Sequence, residues 1–369
     1  MRIPAFDLTR QLGELGDAIR AAMASVMETG QFILGPAVAA FETEVAAWLG
    51  VEHAIGVANG SDALYLALKA LGVGPGDEVI VPAFTFFATA GSVVRCGARP
   101  VFTDIDLDTF NMEPEEALSR VTPRTRAILP VHLFGWPCDL DRLREGFSGP
   151  VVEDAAQAFG AEWAGRRVGG WGTVGCFSFF PTKNLGALGD GGLVTTRDAD
   201  LAARVRRLRV HGATQKYVHA EVGINSRLDA LQAAVLSVKL PRVAAWNQRR
   251  AAIAARYAAG FSAFGLGEVV AWPRVPAEVG HVFHQYTVRV ADRDRLRQHL
   301  AQHGVETAVY YPLPLHLQPA LAEYGEGPGS LPRAEAACQT VLSLPMFPEL
   351  TDAEVDRVVE LVAAFYGKA

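Results

Sequence analysis

Apolar residues recur at helical spacing over the first fifty positions. One stripe predicts a helix over about the first thirty residues: Leu12, Leu15, Ile19, Met23 and Met27. An apolar loop bounded by glycine and proline follows at 30–36, and a second helix is predicted over about 37–49.

From His53 the pattern changes to short apolar runs separated by helical stretches. The runs predict strands at 54–58, 78–82, 100–104, 127–134 and 151–154, and later at 174–180 and 192–196. The stretches between them predict helices at 62–71, 85–96, 114–121 and 139–147. This alternation is typical of an α/β protein whose mostly parallel sheet is covered by helices on both faces. Such sheets bind ligands at the carboxyl ends of their strands.

The last third of the chain has a different pattern. A long helical pattern over 227–261 is interrupted by Pro241, which indicates a boundary between two domains, a large one at 1–240 and a small one at 241–369. The small domain is predicted to be α+β, with strands at 285–290 and 307–311 and helices at 294–303 and 352–366.

Composition and charge argue against several classes of protein. The chain has 369 residues, of which 50% are hydrophobic, and a net charge of -6 without a long basic run, so nucleic-acid binding is not expected. No apolar run predicts a membrane span or a signal peptide. The cysteines are far apart and the histidines are not paired at metal-ligand spacing, so neither a disulfide framework nor a metal site is expected. We expect a soluble cytoplasmic protein.

One lysine lies in a loop between two predicted strands. Lys183 follows aromatic residues, precedes four glycines within 184–192, and has no other cation in the stretch 178–192. Apolar walls around such a lysine lower its pKa and make its amine a nucleophile. The alternative is a solvated lysine on a surface turn.

An acidic residue is suited to act with this lysine. Asp154 ends the buried run at 151–154, and a carboxylate there could hold the protonated ring nitrogen of pyridoxal phosphate while Lys183 binds the aldehyde. The alternative for Asp154 is an ordinary turn or helix cap.

A phosphate site is predicted where the first sheet strand meets its helix. Gly60, Ser61 and Asp62 open that helix, whose free N–H groups could bind an anion, and Ser178 could add a hydroxyl. The alternative is an ordinary capped helix start. An aromatic residue of 84–87 could cover a cofactor ring, although core packing is the usual role of a phenylalanine.

Six fragments in order resemble one enzyme family. They are Asn-Gly-Ser-Asp-Ala-Leu (59–64), Val-Pro-Ala-Phe-Thr-Phe-Phe-Ala-Thr (81–89), Val-Glu-Asp-Ala-Ala-Gln-Ala-Phe-Gly (152–160), Ser-Phe-Phe-Pro-Thr-Lys-Asn-Leu-Gly (178–186), Gly-Asp-Gly-Gly (189–192) and Gly-Ile-Asn-Ser-Arg-Leu-Asp-Ala-Leu-Gln-Ala-Ala (223–234). The chain resembles the DegT/DnrJ/EryC1/StrS aminotransferases from about Ile3 to its C-terminus. These are fold-type I pyridoxal-phosphate enzymes that act on nucleotide-linked keto sugars.

The resemblance implies a role for each matched residue. Lys183 would be the Schiff-base lysine and proton shuttle, and Asp154 would pair with the ring nitrogen. The other cofactor-binding residues would be Gly60, Ser61, Asp62, Phe86, Gln157, Ser178 and, from a neighbouring subunit, Asn225. The active site would then be complete only in a homodimer.

The resemblance also implies which residues line the substrate pocket: Phe32, Tyr217, Arg227, Tyr310, Tyr311 and His316. The sequence is most similar to enzymes that aminate C3 of a nucleotide-linked hexose. Asn-Ser-Arg-Leu-Asp (225–229) and Leu-Ser-Leu-Pro-Met (342–346) also occur in the group that acts on UDP-linked 3-keto-glucuronates. That group tends to carry His and Asn where this chain has Tyr310 and His316, and His316 is more similar to the enzymes of dTDP-linked deoxy sugars.

The predicted function is therefore transfer of an amino group from L-glutamate to a keto carbon, C3 in our prediction, of a nucleotide-linked hexose, with ping-pong kinetics. Amination at C4 or of a UDP-linked 3-keto-uronate stays open. So do a cofactor-binding regulator without turnover and a plain α/β binding protein. Lys183 argues against the dehydratase branch of the fold, which typically carries His at this position.

Overall fold

Helix ends follow the local capping residues in the computed structural model, which describes residues 2–368. The Asp7 carboxylate accepts the Thr9 amide at 2.9 Å at the start of the first helix, and Gly30 ends that helix in the left-handed conformation with φ 67°. The helices are α1 Leu8–Thr29, α2 Pro36–Leu49, α3 Gly60–Ala70, α4 Ala88–Arg95, α5 Pro114–Ser119, α6 Leu140–Gly146, α7 Ala199–Leu208, α8 Ala230–Lys239, α9 Val243–Ala263, α10 Arg293–Gln302, α11 Pro332–Thr340 and α12 Asp352–Phe365.

The strands form one central sheet and several small ones. They are β1 His53–Val57, β2 Glu78–Pro82, β3 Arg99–Thr103, β4 Thr125–Ile128, β5 Val152–Asp154, β6 Glu162–Trp163, β7 Arg166–Arg167, β8 Val174–Ser178, β9 Gly192–Thr196, β10 Ala213–Gln215, β11 Val218–His219, β12 Val279–Gly280, β13 Tyr286–Arg289 and β14 Val341–Leu344.

The central sheet is mixed. Strands β1, β9, β8 and β5 are hydrogen-bonded in that order, with β9 antiparallel to both neighbours and β8 parallel to β5. Strands β3, β2 and β4 form a parallel set. Parallel bridges join Ile128 to Val151 and Val131 to Asp154, so the two sets continue each other. The α/β fold with a mostly parallel sheet is confirmed.

Helices cover both faces of this sheet. Buried side chains of α3, α4 and α7 pack on one face, and those of α1, α2 and α8 pack on the other. A separate apolar cluster lies among α9, α10, α12, β13 and β14. A short 3-10 turn at Leu240–Arg242 separates α8 from α9 at the predicted boundary. The division into 1–240 and 241–369 stays a prediction.

Two sequence predictions of strands were wrong. Residues 307–311 form no strand, and Ala308 makes only an isolated bridge to Ser343. The run predicted at 127–134 ends as a strand at Ile128, because Pro130 cannot donate a ladder hydrogen bond. Several further elements are not predicted from the sequence, among them α7, α11, β14 and the hairpin of β10 and β11. No helix within residues 2–368 is both long and apolar enough to cross a bilayer.

Candidate active site

A cavity of about 360 Å³ lies at the carboxyl ends of β1, β2, β5 and β8. This is the edge of an α/β sheet where ligands bind. Nine of the predicted site residues line it: Gly60, Ser61, Phe86, Asp154, Gln157, Ser178, Lys183, Tyr310 and Tyr311. The fold therefore brings together residues that lie up to 251 positions apart in the chain (311 minus 60).

Lys183 lies in the loop that joins β8 to β9. Its backbone N–H donates to the Phe180 carbonyl at 2.8 Å, which closes a tight turn around the lysine. Burial of the ammonium group lowers the pKa of Lys183 to about 8, although the nearby Asp154 carboxylate opposes this shift. Roughly a fifth of the amine is therefore neutral, and nucleophilic, at about pH 7.4.

Asp154 is buried at the end of β5. Its Oδ2 accepts the Thr89 hydroxyl at 2.9 Å, and its Oδ1 accepts the Ala156 amide at 3.2 Å. Burial raises the pKa of Asp154, while the hydrogen bond from Thr89 and the charge of Lys183 offset part of that rise. The carboxylate is thus not fully compensated, and a protonated ring nitrogen in the cavity would stabilise its charged form.

The N-terminus of α3 forms an anion cradle. Asn59 Oδ1 accepts the Asp62 amide at 2.8 Å, which leaves the N–H groups of Gly60 and Ser61 without an acceptor within the helix. A Cβ atom at Gly60 would lie 2.7 Å from the Ser178 Cβ, so only glycine lets the helix start this close to β8. Backbone donors and the Ser178 hydroxyl therefore converge where a phosphate group would fit.

Gln157 links two sides of the cavity. Its Oε1 accepts the Phe134 amide at 2.7 Å, and its Nε2 donates to the Tyr311 hydroxyl at 3.0 Å. Burial raises the pKa of Tyr311, so this phenol stays protonated. Phe86 is 55% exposed beside the cavity, with its ring centroid 6.2 Å from that of Tyr311.

A buried carboxylate hydrogen-bonded to a histidine lies next to Asp154 in the chain. Glu153 is fully buried and accepts hydrogen bonds from the backbone amides of 169, 171 and 172 and from His132 Nε2 at 3.0 Å. His132 Nδ1 accepts the Cys138 amide, so Nε2 carries the proton. Burial alone would raise the pKa of Glu153, but these bonds hold it below its ordinary value.

Two predicted site residues have structural partners outside the cavity. The Asp62 carboxylate pairs with Arg95 at 2.7 Å, and its amide is taken by the Asn59 cap, so Asp62 does not line the cavity. His316 is buried beside Phe102, and its Nε2 lies 3.1 Å from the Glu335 carboxylate. Neither Asp62 nor His316 lines the cavity of its own chain, and their predicted contacts with a phosphate and with substrate stay predictions.

Four other predicted residues do not line the cavity of their own chain: Phe32, Tyr217 and Asn225, which are exposed, and Arg227, which is half-buried. The loop at 30–36 meets the segment at 225–230, because Ile33 bridges Asp229 and the Ala230 amide donates to the Phe32 carbonyl at 2.9 Å. Tyr217 is 85% exposed on the hairpin of β10 and β11.

Several polar residues of the cavity are not predicted from the sequence. Thr85, Thr182, Asp190, His284 and Gln285 also line the cavity. Burial, together with the charges of Lys183 and Arg250, lowers the pKa of His284 well below its ordinary value, so this imidazole is neutral. No sequence pattern predicts that His284 lines the cavity, because it lies 101 residues beyond Lys183 (284 minus 183) and reaches the cavity through the fold of the C-terminal region.

Comparison with known proteins identifies the family. The model of the DegT/DnrJ/EryC1/StrS aminotransferase family matches residues 14–363. The chain belongs to this family. A dTDP-3-amino-3,4,6-trideoxy-alpha-D-glucose transaminase of Streptomyces venezuelae is 47% identical over 98% of this chain and 95% of its own. A UDP-N-acetyl-3-dehydro-alpha-D-glucosamine 3-aminotransferase of Acidithiobacillus ferrooxidans is 45% identical over 98% and 97%.

A further DegT/DnrJ/EryC1/StrS relative is named for a different role. The pleiotropic regulatory protein of Geobacillus stearothermophilus is 49% identical over 99% of each chain. The crystal structure of Streptomyces venezuelae DesV has a TM-score of 0.95 and 46% identity and covers 99% of this chain and 98% of its own.

The cofactor follows from the family and the cavity. A Bacillus subtilis structure with bound cofactor PMP has a TM-score of 0.90 and 30% identity and covers 98% of this chain and 85% of its own. The cavity of this chain supplies an amine, a buried acid and an anion cradle that fit such a cofactor. The protein is a pyridoxal-phosphate-dependent aminotransferase.

Proposed function

We propose that this aminotransferase moves an amino group from L-glutamate to C3 of a nucleotide-linked 3-keto hexose. The observation that carries the proposal is the Lys183 amine, with a pKa of about 8, in one cavity with the buried Asp154. The bound cofactor supplies an electron sink that stabilises negative charge at the reacting carbon.

Each residue of the cavity would have a separate role in the reaction. Lys183 Nζ would bind the cofactor aldehyde and then carry a proton to and from the reacting carbon. Asp154 would hold the proton on the ring nitrogen, and Gly60, Ser61 and Ser178 would bind the phosphate. Phe86 would cover a face of the ring, whose hydroxyl would lie beside Gln157.

The mouth of the cavity would bind the sugar. Tyr310 and Tyr311 supply hydroxyl groups and apolar ring faces, and His284 and Gln285 add polar groups. A neutral His284 has one donor and one acceptor nitrogen, so it can both donate hydrogen bonds to sugar hydroxyls and accept them. The choice of C3 is supported by relatives named for 3-amino sugars linked to dTDP or UDP.

We further propose a homodimer in which each subunit completes the site of its partner. The cation and amide predicted to bind substrate and phosphate, Arg227 and Asn225, do not line the cavity of their own chain. They adjoin an exposed apolar loop with Phe32 and Ile33, which a second copy would cover. The cytoplasmic location predicted from sequence stays a prediction.

An absorption experiment tests the reaction. Protein loaded with pyridoxal phosphate should show a visible band that moves to the near ultraviolet when L-glutamate is added. A dTDP- or UDP-linked 3-keto hexose should restore the visible band, and mass spectrometry and NMR should identify a product with an amino group at C3. The Lys183→Ala variant should show neither change.

The outcomes separate the alternatives. Amination of a 4-keto sugar or of a UDP-linked 3-keto-uronate instead would replace the proposed substrate. A visible band that responds to neither glutamate nor any keto sugar would favour a regulator without turnover, as the name of the Geobacillus relative suggests. Absence of a visible band would contradict the roles proposed for Lys183.

A further inference from the structure

Helix α8 holds the loop that carries Lys183. Gln232 and Lys239 lie seven residues apart, about two turns, so they share one face of α8. Gln232 Oε1 accepts the Leu188 amide at 2.8 Å, and Lys239 Nζ donates to the Gly186 carbonyl at 2.8 Å. Both contacts fall within five residues after Lys183 (188 minus 183).

The Gly186 carbonyl is tied to the position of Lys183. A Cβ atom at Gly186 would lie 2.3 Å from the Pro181 carbonyl, so the chain doubles back between these residues with Lys183 in the bend. The next amide, that of Ala187, donates to the Phe179 carbonyl at 2.8 Å. A shift of Gly186 would therefore move the whole bend and the lysine that it carries.

Lys239 is fully buried, which is costly for an ammonium group. Burial lowers the pKa of Lys239 to about 8, and the Glu349 carboxyl, itself partly buried, opposes the shift. Arg250 on α9 is the other buried cation beside Glu349, and it binds the carbonyls of Phe283 and Met346 rather than the Lys183 loop. If this side chain only filled space, leucine or methionine would be more favourable than lysine, because neither carries a charge that must be buried.

We propose that Lys239 is a positioning residue for Lys183. Its ammonium group fixes the Gly186 carbonyl and thereby sets where the Lys183 amine lies in the cavity. The contact is a charge-assisted hydrogen bond between a rigid helix and a loop, which is stronger than a bond between neutral groups. The inference rests on the role proposed above for Lys183.

The test compares two variants of the cofactor-loaded enzyme. Lys239→Met removes the donor and keeps an unbranched side chain, whereas Lys239→Arg keeps a charged donor. For Lys239→Met we expect the pH midpoint of the visible cofactor band to move by about half a unit or more. We expect its kcat to fall about tenfold because a small displacement of the amine misaligns the reacting atoms, with KM for glutamate within about twofold. Lys239→Arg should have nearly the wild-type pH midpoint and kcat.

A matched control separates positioning from stability. Tyr257→Phe also removes one buried donor to a carbonyl, that of Pro345 at 3.0 Å, but in the apolar cluster around α9 and away from the cavity. Tyr257→Phe should lower Tm without changing the pH midpoint of the visible band or kcat. If Lys239→Met behaves like Tyr257→Phe in all three measurements, Lys239 only stabilises the fold and the inference is wrong.

Two further variants keep the result clear. If Lys239→Met does not fold, Lys239→Gln, which has a neutral donor on a side chain one atom shorter, should show the same shifts. Unchanged band and kcat in that variant would overturn the inference. Lys183→Ala tests the proposed function separately: if it keeps the visible band, the role of Lys183 fails whatever Lys239 does.

Discussion

The Thr89 hydroxyl donates a 2.9 Å hydrogen bond to Oδ2 of Asp154, at the base of the cavity. Thr89 lies in the first turn of α4, so a helix that follows β2 stabilises the charged form of an acid that ends β5. This bond offsets part of the rise in the pKa of Asp154 that burial causes.

Thr89→Val should therefore raise the pKa of Asp154 further. A hydrogen bond to a charged group contributes about 1.5–3 kcal/mol, so we expect the acidic limb of the kcat/KM profile to move up by about one to two pH units. The pH dependence of kcat/KM measures this. Thr195→Val is the control, because it removes a buried threonine hydroxyl bonded to the Gly169 carbonyl outside the cavity. Equal profiles for both variants would contradict the role of Thr89.

The amine of Lys183 should react with pyridoxal phosphate most readily above pH 8. A pKa of about 8 leaves half of the amine neutral at that pH, whereas only about 1 in 300 would be neutral at the ordinary pKa of 10.5. Stopped-flow absorbance of the cofactor-free protein should give a rate that rises with pH to a plateau with a midpoint near 8. A midpoint above 10 would mean that Lys183 is solvated.

Substitution of Gly60 should weaken cofactor binding. In Gly60→Ala the new methyl group would lie 2.7 Å from the Ser178 Cβ, which forces the start of α3 away from β8. We expect the Kd for pyridoxal phosphate, measured by fluorescence titration, to rise about tenfold or more, since the backbone donors no longer converge. Gly74→Ala is the control, because nothing lies within 4 Å of its added methyl group. If both variants bind alike, the α3 cradle does not hold the phosphate.

Mixing inactive variants tests the shared site. Lys183→Ala and Asn225→Asp should each be inactive alone. Mixed dimers formed by unfolding and refolding the two together should recover about a quarter of wild-type activity, because half of the dimers then have one intact site of two. Lys183→Ala mixed with Asp154→Asn should recover none, since both residues lie in the cavity of one chain. No recovery in the first mixture would exclude a contribution of Asn225 to the partner.

The parts of the site that sequence predicted are local in origin. Gly60, Asp154 and Ser178 each lie at or just after the carboxyl end of a strand, and parallel strands bring these ends to one edge of a sheet. The apolar runs that form β2 and β9 are short, bounded by turn residues and fully buried, so their bounds were predicted correctly. Lys183 was found in the same way, from aromatic residues before it and glycines after it.

The parts that were missed depend on contacts distant in sequence. Thr89 faces Asp154 across 65 positions, and no local pattern marks that pairing. The pattern at 307–311 predicts a strand, but Tyr310 and Tyr311 line the cavity and do not pair in a sheet. The family resemblance predicts contact of His316 with substrate, but no local pattern predicts its burial beside Glu335, which depends on where α11 packs.

Glu153 and Asp154 are consecutive acids that face opposite sides of β5, and each has its own set of donors. A slip of this strand by a single position would turn Glu153 into the cavity and break its four hydrogen bonds, and it would turn Asp154 away from the cavity. Misaligned folding intermediates would thus be both unstable and catalytically dead. The correct register of β5 is therefore required both for the stability of the fold and for the position of Asp154 in the cavity.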